Sequence, residues 1–257
     1  MRKYYIRAVQ EALFEEMGRD DTTFLMGEDV RIGCFAATRG LYQKFGGERV
    51  IDTPISELAV AGAGVGAAAT GTRPIVDLMF GQFLMLAYDQ VSNQANAMRY
   101  MFGGQTKVPI TYLVQNGTGP CVGPHHSNSV HPMFMNIPLV KVVMPSCPKD
   151  AKGLLKSAIR DDNPVVFFNH TSIGGMKGEV PEEEYTIPLG KGEIKRAGTD
   201  ITLCAVGLLV NTCLKAAAKL EKEGIHAEVV DLRTLKPWDK ELVLESVKKT
   251  GRFLGGG

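Results

Sequence analysis

The stretch IDTPISELAVAGAGVGAAATG, residues 51–71, joins the end of an apolar strand to a helix. The strand RVID (49–52) is followed by a Thr-Pro turn, and Ser56 stands where a helix N-cap is favoured. Small apolar residues continue from there, so the pattern predicts a helix over residues 56–70. A buried strand that passes directly into a helix is the repeating unit of a parallel α/β sheet.

Three glycines, Gly62, Gly64 and Gly66, lie inside this predicted helix. A dinucleotide-binding turn needs its glycines directly after the strand, where backbone N–H groups at the helix start meet the pyrophosphate. In mid-helix each glycine costs about 1 kcal/mol relative to alanine. Close packing against a neighbouring element is therefore the preferred interpretation. A nucleotide-dependent oxidoreductase stays as an alternative, which a titration with NADH would test.

Further apolar runs alternate with helical stretches on both sides of this unit. The predicted strands are TFLMG (23–27), PIVDLMF (74–80), VPITYLV (108–114), VKVVMP (140–145) and PVVFF (164–168). The predicted helices cover residues 5–17, 84–101 and 148–160. Buried strands separated by helices predict an α/β fold, with a parallel sheet covered by helices on both faces.

The alternation pauses after residue 170 and then restarts. Residues 171–192 are rich in Gly, Pro and Glu, which is typical of a connecting segment. We predict a first domain over residues 1–175, a linker over 176–192 and a second, smaller α/β domain over 193–257. In the second domain a third strand only begins at RFLGGG, so we expect this domain to be truncated.

The composition excludes several classes of protein. With 44% apolar and 22% charged residues, the chain is typical of a globular protein. Its 29 basic and 28 acidic residues balance without any block of like charge, so we predict no nucleic-acid or membrane partner. The five cysteines are widely spaced and predict neither disulfides nor a zinc site. No apolar run suggests a signal peptide or a membrane span, and we predict a cytoplasmic location.

Long ordered blocks of sequence cover nearly the whole chain. They are GEDV (27–30), GLYQKFGGERVIDTPISE (40–57), GTRPIVDLMFGQFLMLAYDQV (71–91), MRYMFGGQTKVPI (98–110), HHSNS (125–129), PSCPKDAKGLLKSAIRDDNPVVFF (145–168) and AEVVDLRTLKPWD (227–239). Together they resemble the beta chain of thiamine-diphosphate-dependent 2-oxo acid dehydrogenases and acetoin dehydrogenases. The resemblance implies a transketolase-like pyrimidine-binding domain followed by a transketolase C-terminal-like domain.

The resemblance also implies that thiamine diphosphate is the cofactor. Glu57 matches the family's acid that hydrogen-bonds the aminopyrimidine ring. Such a hydrogen bond favours the imino tautomer, whose nitrogen takes the proton from the thiazolium carbon and so generates the nucleophile. From its position alone, Glu57 would be interpreted as a surface acid that complements the helix dipole.

Five further positions match family site residues. Phe83 matches the aromatic that stacks on the pyrimidine, and Ile55 and Met79 match residues that line it. Glu28 matches an acid that faces the channel between paired active sites. His126 matches the histidine that assists proton transfer when the acyl group passes to lipoamide. We predict catalytic roles for Glu57 and His126, and cofactor binding by Glu57, Phe83, Ile55, Met79 and Glu28.

A potassium site is implied by the resemblance at a turn built mainly from backbone carbonyls. The matching positions are Ile110, Ala158, Ile159, Asp161 and Asn163. From the residues alone, RDDNP (160–164) is interpreted as a turn before a strand.

The chain contains no Gly-Asp-Gly segment, which this class of enzyme uses to hold the diphosphate through magnesium. We therefore predict that an alpha subunit holds the magnesium. We expect a heterotetramer of two alpha and two beta chains on a lipoyl-bearing acyltransferase core. The predicted reaction is acetoin cleavage or pyruvate decarboxylation, with acyl transfer to lipoamide. A branched-chain or other 2-oxo acid dehydrogenase, or a non-catalytic assembly or regulatory subunit, remains an alternative.

Overall fold

A seven-stranded sheet forms the centre of the larger part of the protein, and a four-stranded sheet forms the centre of the smaller part. The computed structural model describes residues 1–119 and 121–256. The strands are β1 (Arg2–Tyr4), β2 (Thr23–Gly27), β3 (Val50–Asp52), β4 (Arg73–Phe80), β5 (Thr111–Asn116), β6 (Lys141–Val143), β7 (Val165–His170), β8 (Lys177–Glu179), β9 (Glu193–Arg196), β10 (Ile201–Ala205), β11 (Ala227–Asp231), β12 (Thr234–Lys236) and β13 (Phe253–Gly256). The helices are α1 (Tyr5–Arg19), α2 (Leu41–Phe45), α3 (Glu57–Ala69), α4 (Gly81–Leu84), α5 (Asn96–Met101), α6 (His131–Met135), α7 (Pro148–Arg160), α8 (Leu208–Leu220) and α9 (Lys240–Thr250).

The larger sheet has the strand order β12-β6-β7-β5-β4-β2-β3. Neighbouring strands pair in parallel except β12, which runs antiparallel to β6. Strands β2, β5 and β7 are almost entirely buried, because helices cover both faces of a parallel sheet. The predicted α/β class is therefore confirmed.

The two faces of this sheet carry separate apolar cores. Helix α3 contributes Val60 and Val65 to the core on one face. Helices α1 and α7 contribute Leu13 and Leu154 to the core on the other face. Helices α1 and α7 thus pack on the sheet through amphipathic faces, and α3 packs on it through small residues.

Gly64 explains part of the glycine pattern in α3. A Cβ atom at Gly64 would lie 2.7 Å from Val76 Cγ2 and 2.8 Å from Ile110 Cδ1, so only glycine lets the helix lie this close to the sheet. At Gly62 a Cβ would lie 3.1 Å from Gln90 Oε1, whereas at Gly66 it would meet no atom within 4 Å. Gly64 and Gly62 thus face packed side chains, as the packing interpretation expects.

The smaller sheet has the order β13-β10-β11-β9, and only β9 is antiparallel to its neighbour. Directly after β11, the chain enters β12 and joins the edge of the larger sheet. A buried ionic cluster lies at this junction. The carboxylate of Asp150 in α7 accepts hydrogen bonds from Lys195 Nζ at 2.6 Å and Arg233 Nη2 at 2.7 Å.

Two segments differ from the sequence-based expectation. The helix predicted over 84–101 is divided into α4, a π-helical segment at Gln90–Ala95 and α5. The backbone N–H groups of residues 85–88 bond to the carbonyl three residues earlier, whereas an α-helix bonds to the carbonyl four residues earlier. The connecting segment carries strand β8, which pairs with β1. No helix among the described residues is both long and apolar enough to cross a membrane.

Candidate active site

The carboxyl ends of four strands lie side by side and form the base of the site. Strands β3, β2, β4 and β5 are successive parallel neighbours, so the loops that follow them emerge at the same edge of the sheet. In open α/β sheets, ligands bind in the crevice outside these carboxyl ends. The six residues predicted for catalysis and cofactor binding all follow or end one of these four strands.

Glu57 is the first residue of helix α3, just after the turn that follows β3. The Ser56 side chain makes no capping hydrogen bond, so the predicted cap is not formed. Glu57 is only partly exposed and lines a small cavity, called the inner cavity below. A carboxylate in the first turn is favoured by the helix dipole, and here it also faces a space that a ligand can enter.

Four of the other predicted residues line the same cavity: Glu28, Ile55, Met79 and Phe83. Glu28 comes directly after β2, and Phe83 lies in the short helix α4 that follows β4. Met79 has a positive φ of 59°, a backbone angle that residues other than glycine rarely adopt. The structure thus brings these four residues and Glu57 together around one cavity.

His126 ends a single 3-10 turn in the loop after β5 and lies at the mouth of the site. Its ring packs edge-on against Phe80, with ring centroids 4.6 Å apart, and against Phe83, with centroids 5.4 Å apart. An outer cleft is lined by His126, Glu57 and Phe83 among others. All six predicted residues border this cleft: Glu28, Ile55, Glu57, Met79, Phe83 and His126.

The loop that carries His126 is held by Asn128, a residue that the sequence did not single out. Its side-chain Nδ2 donates to the Pro124 carbonyl at 2.7 Å and to Gln82 Oε1 at 2.7 Å. Gln82 is the neighbour of Phe83 in α4. Asn128 therefore ties the His126 turn to the helix that carries the aromatic ring.

Asp77 also lines the inner cavity, and its place in the sequence does not by itself mark it as a site residue. Burial raises the pKa of its carboxyl to about 6, although a hydrogen bond from the Met79 backbone N–H opposes that rise. Burial also raises the pKa of Glu28, with further contributions from the Asp29 and Glu57 carboxylates. The available signal for Asp77 was an acid inside an otherwise apolar strand, PIVDLMF.

The residues matched to a potassium site lie at the opposite, amino-terminal edge of the sheet. The Ile159 and Asp161 carbonyls accept hydrogen bonds from Arg73 Nη1 at 3.2 Å and 3.1 Å. The Asp161 carboxylate pairs with Lys141 and accepts from Asn163, while the Ile110 carbonyl accepts from Val165 and the Ala158 carbonyl from Asp161. The described residues contain no group of three or more His, Cys, Asp or Glu side chains suited to a metal.

Comparison with known proteins places the chain in a family. Residues 3–175 match the family described as transketolase, pyrimidine binding domain, and residues 190–255 match transketolase, C-terminal domain. The solved structure of a split gene transketolase, described as an inactive beta4 tetramer, has a TM-score of 0.81 at 24% identity. The matched region covers 97% of this chain and 78% of the transketolase chain. This similarity shows the fold.

Two curated relatives are far closer in sequence. The 2-oxoisovalerate dehydrogenase subunit beta of Bacillus subtilis (strain 168) is 49% identical, over 97% of this chain and 77% of its own length. The acetoin:2,6-dichlorophenolindophenol oxidoreductase subunit beta of Cupriavidus necator is 47% identical, over 98% of this chain and 78% of its own length. With both family matches and this level of identity, the chain belongs to the transketolase-like family of dehydrogenase and oxidoreductase beta subunits.

Proposed function

We propose that this chain is the beta subunit of a thiamine-diphosphate-dependent 2-oxo acid or acetoin dehydrogenase, and that it binds the pyrimidine ring of the cofactor. The observation that carries the proposal is the position of Glu57, which lines one cavity together with Phe83 and Met79. The carboxylate can accept or share a proton with a ring nitrogen, and the flat ring of Phe83 offers a stacking surface. When bound, thiamine diphosphate supplies a carbon nucleophile that attacks the carbonyl group of the substrate.

The electrostatics of the inner cavity suit a cationic ring system. Glu28 and Glu57 contribute carboxylates to its lining, and the lining residues include no lysine or arginine. Thr53 also lines the cavity, and its buried hydroxyl has no hydrogen-bond partner among the described residues. A ligand with a positive charge and polar edge atoms would meet both features, since a buried polar group without a partner is costly.

His126 is proposed to move protons at the mouth of the site. Its ring lies against Phe83, so it stands beside the aromatic surface assigned to the cofactor. An imidazole ring has two nitrogens and can both donate and accept a proton. These properties fit proton transfer while an acyl group passes to the lipoyl group of an acyltransferase core, the partner that we propose for this step.

The proposal requires an alpha subunit. The chain has no Gly-Asp-Gly segment, so we assign the magnesium and the diphosphate to that partner. Around the cleft, Ile55, Leu58 and Leu86 expose 73%, 53% and 60% of their surface. Apolar side chains exposed beside a site support burial against another subunit. Two alpha and two beta chains would then form the enzyme.

We also propose a potassium ion at the amino-terminal edge of the sheet. It would share the Ile159 and Asp161 carbonyls with Arg73, and each carbonyl has a second lone pair for this purpose. Thermal unfolding in KCl and in NaCl at equal ionic strength tests the ion. We expect a higher midpoint in KCl, and equal midpoints would remove potassium from the proposal.

The test of the proposed function is coexpression with the alpha chain, followed by assays of acetoin, pyruvate and branched-chain 2-oxo acids with an artificial electron acceptor. We expect turnover only when both chains and thiamine diphosphate are present. The preferred substrate decides between branches, because identities of 49% and 47% do not separate them. Turnover by the isolated chain, or NADH binding to it, would contradict the division of labour. A complex that assembles but turns over no substrate would favour a regulatory subunit.

A further inference from the structure

Asp77 closes a local turn in the wall of the proposed cofactor cavity. Its carboxylate Oδ1 accepts the backbone N–H of Met79 at 2.9 Å. An aspartate that bonds the N–H two residues onward forms an Asx turn, a short-range device that fixes a bend in the backbone. Met79, at the end of this turn, has a φ of 59°. The hydrogen bond therefore lies at the point where the backbone is strained.

The pairing of the neighbouring strands changes at the same place. Asp77 pairs with Leu113 of β5, and Phe80 pairs with Gln115, so three steps along β4 match two steps along β5. Such a bulge redirects the side chains that follow it, and bulges are common beside active sites. Met79 lies within this bulge, and Phe80 and Phe83 come after it; all three face the cavity or the cleft.

Strand β2 also fits closely against this turn. A Cβ atom at Gly27 would lie 2.3 Å from the Asp77 carbonyl oxygen, so the two strands approach each other more closely than any side chain at Gly27 allows. Glu28 follows this glycine directly and lines the same cavity. The Asp77 turn is thus held from one side by β2 and from the other by the bulge against β5.

We propose that Asp77 is a positioning residue, whose Asx turn holds Met79 in its left-handed conformation and so shapes the wall that receives the pyrimidine ring. This inference rests on the proposed function for the identity of the ligand. The Asx turn itself is formed by residues of this chain and does not depend on the identity of the ligand. Backbone strain of this kind persists where the surrounding structure enforces it, and here the carboxylate of Asp77 enforces it.

Four variants of the coexpressed complex test the role: Asp77→Asn, Asp77→Ala, Met79→Gly and Asp77→Ala/Met79→Gly. We expect Asp77→Ala to raise the KM for thiamine diphosphate about tenfold with a smaller change in kcat, since one hydrogen bond to a strained backbone is lost. Asp77→Asn should stay within about twofold of wild type, because an amide oxygen accepts the same bond.

The Met79→Gly background separates positioning from other roles. Glycine adopts a positive φ without strain, so removing the Asp77 carboxylate in that background should change the KM by less than about twofold. An equal effect of Asp77→Ala in both backgrounds would overturn the proposal, because the carboxylate would then act independently of Met79. A large loss with Asp77→Asn would also overturn it and assign the role to the negative charge.

A parallel measurement on the isolated full chain does not depend on the ligand. The wild-type chain, Asp77→Ala, Met79→Gly and the double variant form a double-mutant cycle in urea unfolding, and we expect the effect of Asp77→Ala to be at least halved by Met79→Gly. Absence of coupling would refute the positioning role. If the cycle shows coupling but the wild-type complex needs no thiamine diphosphate, the turn stands and the proposed function fails.

Discussion

The imidazole ring of His126 lies edge-on against the phenyl ring of Phe83, with an interplanar angle of 74° and centroids 5.4 Å apart. The two residues follow different strands: His126 lies in the loop after β5, and Phe83 lies in the helix after β4. Their contact therefore depends on the parallel pairing of β4 with β5. It brings the imidazole ring of the loop after β5 to the aromatic ring on α4.

Replacing Glu57 by Gln in the coexpressed complex should lower kcat about a hundredfold or more, because the amide cannot share a proton with the ring nitrogen. Assembly should be unchanged, since Glu57 is half-buried in a cavity and makes no side-chain hydrogen bond within the described residues. Steady-state kinetics and gel filtration are the measurements. The control is Glu48→Gln, an exposed acid before β3. Near-normal turnover with Glu57→Gln would remove this residue from the mechanism.

Replacing His126 by Ala should slow acyl transfer to lipoamide about a hundredfold, because a general acid-base group is lost. Turnover with an artificial electron acceptor should fall less, since that assay bypasses the transfer. His125→Ala is the matched control, because His125 is an exposed neighbour in the same turn. Equal losses in both assays, or the same loss with His125→Ala, would argue against the assigned role.

Alanine substitution should have opposite effects at two glycines of α3. Gly64→Ala should lower the free energy of unfolding by about 1–3 kcal/mol, because the new Cβ collides with Val76 and Ile110. Gly66→Ala should raise it by about 0.5–1 kcal/mol, because the site is open and alanine favours the helix. Urea unfolding of the isolated chain measures both. Similar effects at the two positions would contradict the close packing of α3 on the sheet.

The raised pKa of Asp77, about 6 against an ordinary value of 3.8, predicts how stability depends on pH. Between these values the folded chain binds more protons than the unfolded chain. The free energy of unfolding due to this group therefore falls as pH rises from about 4 to 6. By pH 7 the loss should be about 1–3 kcal/mol, and nearer the lower figure because Asp77 is partly open to the cavity.

Asp77→Asn should remove this dependence and stabilise the isolated chain at pH 7, since the amide keeps the Met79 hydrogen bond without a charge. Urea titrations at several pH values between 4.5 and 7.5 provide the comparison. Glu48→Gln, at an exposed position, should leave the slope as it is in the wild type. An unchanged slope with Asp77→Asn would show that this carboxyl titrates normally.

The sequence predicts the parallel sheet because its strands are continuous apolar runs, such as VVFF in β7, and because α1 and α7 have apolar faces at helical spacing. It does not predict β8 or β12. Each has three residues, and each is a strand only because a distant partner, β1 or β6, offers an edge. Such pairing leaves no local periodicity.

The sequence predicts some residues of the candidate site and misses others. Glu57, Phe83 and His126 were identified by resemblance, and their common cleft follows from the order of β3, β2, β4 and β5. Asp77 and Asn128 were missed because they act on the backbone and on loops. Asp77 caps Met79, and Asn128 ties Pro124 to Gln82. These partners are set by the bend of the chain, which spacing in the sequence does not encode.

Strand β12 has a consequence for protein engineering. The smaller part of the chain supplies this strand to the edge of β6, so that edge is completed by residues 234–236. A fragment that ends before residue 234 would leave the N–H and C=O groups on the outer edge of β6, the edge away from β7, without strand partners. An open strand edge recruits other copies into aggregates. The smaller part is therefore unsuited to exchange between relatives as an independent module, unless the substitute also brings a strand of matching length.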